Sequence, residues 1–257
     1  MILSSTTPQR KYSRIISLVP SQTELLFYLD QEDEVIGITK FCIHPSPWFR
    51  NKVRIGGTKN ININKIHSLF PDLIIANKEE NVREQIEELA INYDVWITDV
   101  NDLTGAISMI NDIGKLTGKV TKASALVSEI NAGFKKLKEI SSSREKIDAA
   151  YFIWKDPYMV AARNTFIDDM MHYCGMDNVF SDRNRYPQIT LEDIRNKKAS
   201  LILLSSEPFP FTEKHKKEIR QQLPEIEIEL VDGEMFSWYG SRLLKSIDYF
   251  HSFLVKK

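Results

Sequence analysis

The chain has 257 residues, 42% of them hydrophobic and 27% charged, enough apolar content for one large core or two medium ones. Its 34 basic residues nearly cancel 35 acidic ones, for a net charge of −1, so nothing in the composition favours nucleic acid or a charged membrane face. The two cysteines, Cys42 and Cys174, lie far apart, which excludes a disulfide framework and a four-cysteine zinc site.

Taken from the N-terminus, Met1 to Lys11 lacks the hydrophobic core of a signal peptide. No apolar run approaches the roughly 18 residues of a membrane span, so the chain as written is expected in the cytoplasm without membrane insertion. Arg14 to Val19 is apolar, β-branched and closed by Pro20, which cannot donate to a sheet ladder; this predicts a buried parallel strand. Ser21-Gln22-Thr23-Glu24 reads as a capping box opening a helix through Leu25, Leu26, Tyr28 and Leu29. Val35 to Thr39 is the next strand. Phe41 to Asn60 reads as a loop with Pro45, Pro47, Gly56 and Gly57, long enough to point to function. Asn62 opens a helix that Pro71 stops, and Leu73 to Ala76 is a buried strand. Asn81 is expected to cap a helix to about Asn92, Val95 to Thr98 is the fourth strand, and Leu103 to Leu116 is helical.

From Lys119 to Ser143, Val120, Ala123, Leu126 or Val127, Ile130, Phe134, Leu137 and Ile140 recur at steps of three or four, one apolar stripe interrupted only by Gly133. A helix of about 22 residues is roughly 33 Å long, a rod able to hold two lobes at a fixed separation. Beyond it, Ala149 to Trp154 and Met159 to Ala161 read as strands, and Thr165 to Cys174 as a helix ended by Gly175 in the left-handed position. Thr190 to Asp193 forms another capping box, and Leu201 to Leu204 is a buried strand. Thr212 caps Glu213 to Leu223, Ile226 to Val231 is a strand, and a last helix runs from about Gly240 to Leu254. The expected fold is therefore α/β: two Rossmann-like lobes with parallel sheets, residues 1–117 and 146–257, joined by one long backbone helix within 118–145.

In open parallel sheets, ligands bind outside the carboxyl ends of the strands. Here those ends feed Pro20-Ser21, Phe41-Cys42, Asn77-Lys78-Glu79-Glu80, Trp154, Ser205-Ser206-Glu207 and Asp232-Gly233-Glu234. Phe41, Trp154, Tyr158, Tyr186, Phe236, Trp238 and Tyr239 fall in the same loops, which suits a bulky, partly apolar ligand with polar edges. About half of such rings would simply cover the sheet ends. The chain has no Walker loop, dinucleotide glycine fingerprint, His-Glu-x-x-His or nucleophile elbow. Cys42-Ile43-His44 reads as a nucleophile and base, as two metal ligands, or, the favoured reading, as a buried thiol beside a loop histidine. Glu79, Glu80 and Glu234 read as paired acids, as ligand-orienting groups or as solvated charge.

The run from Arg14 to Leu26, Gly56-Gly57-Thr58-Lys59-Asn60, Pro71-Asp72-Leu73-Ile74-Ile75-Ala76, Cys174 to Phe180 and Arg185-Tyr186-Pro187 resemble the helical-backbone metal-receptor proteins. The resemblance is closest to the cobalamin-binding component of ABC importers and spans the chain from about Ser13. It implies two α/β lobes on one rigid helix, with a corrinoid, ferric siderophore or haem-like chelate held in the cleft between them. It also implies a non-enzymatic, monomeric, periplasmic binding protein with no resident metal or cofactor.

Matched position by position, the family's aromatic cleft residues fall on Phe41 and Tyr186, and an acidic contact on Glu234 beside Phe236. Two cleft tryptophans of the relatives fall on Thr58 and Asn77, with Lys59 and Lys78 alongside, which suits an anionic chelate. The expected ligand surface is Phe41, Thr58, Lys59, Asn77 and Lys78 from the first lobe, and Trp154, Tyr158, Arg185, Tyr186, Glu234, Phe236 and Trp238 from the second. Relatives dock on a permease through one acid per lobe. These positions fall on Glu192, equally readable as the third residue of a capping box, and on Asn64, which carries no charge. A member that binds its ligand inside the cell and serves no importer fits that loss. The alternatives are a cytosolic enzyme of corrinoid or tetrapyrrole salvage, with Glu79, Glu80 or Glu234 as acid or base, and an interaction module presenting its aromatics to a protein.

Overall fold

A computed structural model describes residues 1–3 and 11–256; residues 4–10, on which the reading of the N-terminal segment partly rests, lie outside the described residues. The chain forms two compact units. Unit 1 comprises Met1–Val100, Thr104–Glu129 and Tyr239–Arg242; unit 2 comprises Asn101–Leu103, Ile130–Trp238 and Leu243–Lys257.

Unit 1 alternates strand and helix: β1 (Ile15–Ser17), α1 (Pro20–Tyr28), β2 (Val35–Ile38), α2 (Ser46–Asn51), β3 (Val53–Arg54), α3 (Ile63–Leu69), β4 (Leu73–Asn77), α4 (Arg83–Asn92), β5 (Asp94–Thr98) and, from its second residue on, α5 (Leu103–Leu116). Its sheet runs β3-β2-β1-β4-β5 with every pairing parallel. Parallel strands are covered on both faces, and β1 and β4 are accordingly buried along their whole length. Ile16, Leu18, Ile66, Ile74, Leu89 and Val95 close the core around them.

Several local expectations are corrected here. Helix α1 begins at Pro20, with Val19 as N-cap and no side-chain cap, because the proline ring already sets the helical φ at the first position. Glu24, expected in a capping box, instead grips Arg242 with both oxygens, at 2.8 and 2.9 Å. Gly240, at φ +97°, lets that segment pack so closely that a Cβ there would stand 3.3 Å from the Leu25 Cβ. The expected loop from Phe41 to Asn60 contains α2 and β3. Asn81 does not cap α4, whose N-cap is Val82.

Helix α6 (Val120–Ser142) follows, with residues up to Glu129 in unit 1 and the remainder in unit 2. Its stripe is realised as burial of Ala123, Leu126, Ile130, Phe134 and Leu137, while Val120 at the end is exposed. In unit 1, α5 lies so close that a Cβ on Gly114 would sit 2.5 Å from that of Ala123. In unit 2, Phe134 meets Tyr173 edge to face at 4.8 Å, and a Cβ on Gly133 would fall 2.3 Å from Ile247 Cδ1.

The rest of unit 2 is β6 (Ile147–Trp154), β7 (Met159–Ala161), α7 (Phe166–Tyr173), β8 (Met176–Asn178), α8 (Leu191–Asn196), β9 (Leu201–Ser205), α9 (Glu213–Gln222), β10 (Glu227–Val231), α10 (Gly233–Ser237) and α11 (Leu243–Lys256). The order is β10-β9-β6-β7, with β8 also on β6. The pairings are parallel except β6 with β7, which is antiparallel around the turn at 155–158, so this sheet is mixed rather than wholly parallel. The polar strand β8 and the short α10 carry no hydrophobic period and escape sequence reasoning.

Candidate functional site

In unit 1 the carboxyl ends of β4 and β5 are laced by buried polar side chains. Asn77 Oδ1 accepts from the backbone N–H groups of Glu79 and Glu80 at 2.8 and 3.1 Å, and its Nδ2 donates to Thr98 Oγ1 at 3.1 Å. Thr98 also receives Gln22 Nε2 at 2.5 Å, and Asn81 joins the Asn77 backbone to the Thr58 carbonyl at 2.8 and 3.1 Å. Asn77 and Thr58, expected to meet ligand, are therefore buried members of the scaffold. Asn77 spends its side chain on its own loop, as short polar side chains do at turns.

What that scaffold presents is charged. Lys59 and Lys78 are exposed; Lys78 Nζ is 2.8 Å from Asp99, and Lys59 Nζ reaches the Glu79 carbonyl. Burial pushes the Glu80 carboxyl above its ordinary range; Lys59 opposes the shift and Glu79 adds to it. Phe41 is 50% exposed, with Lys40 Nζ 5.1 Å from its ring centre. The adjacent Cys42 is fully buried, 3.1 Å from both Thr23 and Thr39 hydroxyls, and burial pushes its thiol up. That is the inert state of a structural cysteine, not an activated nucleophile.

In unit 2, Trp154 at the end of β6 is 41% exposed and meets Phe209 edge to face at 5.7 Å. Tyr158 is half-buried, 5.4 Å from Phe152. Arg185 takes a left-handed φ of 60° and donates to Asn101 Oδ1 at 2.9 Å, and Tyr186 beside it is half-buried. Glu234 lies in the first turn of α10, where its N–H donates to the capping Asp232 at 3.1 Å. Phe236, expected among the ligand residues, is instead fully buried between Tyr151 at 5.1 Å and Phe250 at 4.8 Å, a ring of the unit 2 core. Trp238 is 7% exposed, its indole N–H donating to Glu207 Oε1 at 2.8 Å. Sequence reasoning places Glu207 in the segment at the carboxyl end of a buried strand but assigns it no individual role.

The expected docking positions are both exposed. In the capping box of α8 the reciprocal residue is Asp193, which accepts from Thr190 N at 2.8 Å, so Glu192 is not the box's acid and pairs with Arg195 at 3.1 Å. Asn64 lies in the first turn of α3 behind Asn62, which caps Lys65 N at 2.9 Å. Among the described residues no cluster of three or more His, Cys, Asp or Glu is placed to hold a metal, and no helix is long and apolar enough to cross a membrane. A groove of about 430 Å³ in unit 2, lined by Arg144, Ile147, Cys174 and Leu254 at the amino ends of β6 and β8, contains none of the expected ligand residues.

A family model described as periplasmic binding protein matches residues 15–226. An uncharacterised ABC transporter substrate-binding lipoprotein of Bacillus subtilis is 28% identical over 200 residues, covering 73% of this chain and 62% of that protein. The periplasmic vitamin B12-binding protein of Vibrio cholerae superposes with a TM-score of 0.80 at 20% identity, over 95% of this chain and 97% of that one. The periplasmic haem-binding protein of Roseiflexus superposes equally, with a TM-score of 0.80 at 19% identity, over 95% and 98%. At these identities the superpositions speak to the fold.

Proposed function

The chain belongs to the periplasmic binding protein family, and from that premise we propose that it is a substrate-binding protein for a bulky metal chelate, of corrinoid, haem-like or ferric-siderophore type. The observation that carries the reading is the exposure of Phe41, in the loop after β2, and of Trp154, the last residue of β6, 50% and 41% at the carboxyl ends of their strands. Large rings left in water at those ends are the material from which ligand surfaces of such sheets are made. Tyr158 and Tyr186, both half-buried, extend the aromatic set of unit 2; Trp238, 7% exposed, adds only the small part of its ring left uncovered, and Glu234 adds an orienting acid. Lys59 and Lys78 stand beside Thr58 and Asn77, the positions matched to the family's cleft tryptophans, which favours an anionic chelate over intact cobalamin.

As in its relatives, the bound molecule is cargo, and a permease is the fitting partner. Glu192 is the docking acid of unit 2, whereas the neutral Asn64 weakens the contact from unit 1. The station of the chain is that of its family, outside the cytoplasmic membrane, and cell fractionation tests it.

The direct test is titration with haem, cobinamide, cobalamin and a ferric siderophore, followed by tryptophan fluorescence and metal absorbance. Saturable binding of one of them is expected, weakened about tenfold by Phe41→Ala or Trp154→Ala, a loss of about 1.4 kcal/mol that places these rings among the minority of contacts that dominate affinity. No saturable change with any of the four overturns the reading. Turnover of a bound chelate that Glu234→Gln abolishes while binding persists would establish the enzyme alternative.

A further inference from the structure

Where β9 ends and α10 packs, one carboxylate gathers several fastenings. Glu207 Oε1 accepts from Ser237 Oγ at 2.6 Å and from Trp238 Nε1 at 2.8 Å. The backbone of Glu207 is held as well: its carbonyl accepts from Ser205 Oγ at 2.5 Å, and Tyr151 OH donates to that same hydroxyl at 3.1 Å. Helix α10 approaches so closely that a Cβ on Gly233 would lie 2.4 Å from Ser205 Oγ and 2.6 Å from Glu207 Cγ. Gly233 N–H donates across the same junction to Ser206 Oγ at 2.9 Å.

The indole of Trp238 is singular among the buried indoles. An indole N–H only donates, so a buried one normally finds an acceptor. Trp48 and Trp96 have buried N–H groups with no acceptor among the described residues, whereas Trp238 donates to a carboxylate. A bond of that kind is charge-assisted and roughly twice as strong as a neutral one.

We infer that Glu207 is the positioning residue of the unit 2 ligand surface: it holds Trp238 in one ring orientation and fastens α10 to the end of β9. This rests on the reading that these strand-end loops meet the chelate, and it adds an acid that no aromatic pattern reveals. Glu207 acts through Trp238, so its effect on affinity is indirect, and a neutral acceptor of the same shape should largely replace it.

The test uses the full chain labelled with nitrogen-15, with the Trp238 indole resonance identified by its loss in Trp238→Phe. In Glu207→Ala that resonance is expected to move and to exchange with solvent at least tenfold faster, while affinity for whichever chelate binds falls about tenfold. Glu207→Gln should keep the resonance protected and restore affinity to within about threefold of wild type. If Glu207→Ala does not fold, a shift of the wild-type Trp238 resonance that titrates with a carboxylate, and is absent in Glu207→Gln, supports the bond. An indole resonance indifferent to Glu207→Ala overturns the inference, as does a released indole with unchanged affinity. A wild-type protein that binds no chelate defeats the function proposed above, and the indole resonance then decides alone whether Glu207 fixes Trp238.

Discussion

Replacing Gly133 by alanine sets two known effects against each other in unit 2. In an open helix interior the change should stabilise by about 1 kcal/mol, because glycine is the poorer helix former. At this position, however, the new Cβ would stand 2.3 Å from Ile247 Cδ1, 2.9 Å from Cγ1 and 3.0 Å from Cγ2. Three atoms of one β-branched side chain cannot all yield by a single rotation at its tip, and overpacking of this kind costs about 1–3 kcal/mol. The expected net is a loss of about 1 kcal/mol, or roughly 2–4 °C in melting temperature for a chain of this size. In an Ile247→Ala background the obstruction is gone, so the same substitution should now stabilise by about 1 kcal/mol. The coupling between the two sites is then about 2 kcal/mol. Urea denaturation followed by fluorescence measures all four corners of this cycle. A Gly133→Ala protein about 1 kcal/mol more stable than wild type, with additive behaviour in the double variant, would refute the close apposition of α6 and α11.

Asn77→Ala leaves the N–H groups of Glu79 and Glu80 without their acceptor and should cost about 1–3 kcal/mol, with faster amide exchange at both; Asn77→Asp, which keeps the acceptor, should cost less. The Glu80 carboxyl titrates above its ordinary range in the folded chain, so the folded state holds that proton more tightly than the unfolded one. Stability should therefore fall as pH rises from the ordinary carboxylate range through the raised value, and Glu80→Gln should remove that slope in stability measured against pH. Both thiols are buried with raised pKa, so a thiol reagent at neutral pH should modify Cys42 and Cys174 only as fast as the chain opens, and fully in denaturant.

Periodicity located what periodicity controls. The buried runs of β1, β4 and β9, the helical run of α5 and the stripe of α6 stand close to where their patterns put them, because burial imposes the spacing. Start signals were less faithful. Ser21 to Glu24 has the letters of a capping box, yet Pro20 pre-sets the first turn, and Glu24 is drawn away by an arginine 218 residues distant. Asn81 has the chemistry of a cap and spends it on Asn77 and Thr58.

Among the ligand candidates the same limit applies. Phe41 and Trp154 are exposed as a loop ring should be, but Phe236, equally a ring near a strand end, faces Phe250 inside unit 2. Which way a side chain turns out of a short helix such as α10 depends on neighbours far along the chain, and no local pattern carries that. The role of Glu207, placed by sequence only at a strand end, is hidden for the same reason: its partners follow it by about thirty residues.

The grip of Glu24 on Arg242 has a consequence for anyone dissecting this molecule. Tyr239–Arg242 belongs to unit 1 although it follows Trp238 of unit 2 directly in the chain, so a fragment cut after α5 or within α6 would lack it. Such a fragment would keep an acid whose partner is 4% exposed in the intact protein, and strip cover from Leu25. Removing one member of a buried ion pair is among the costlier single losses a fold can suffer. The amino-terminal half expressed alone should therefore be poorly folded, and a co-expressed carboxy-terminal half, which brings Arg242 back in trans, should rescue it.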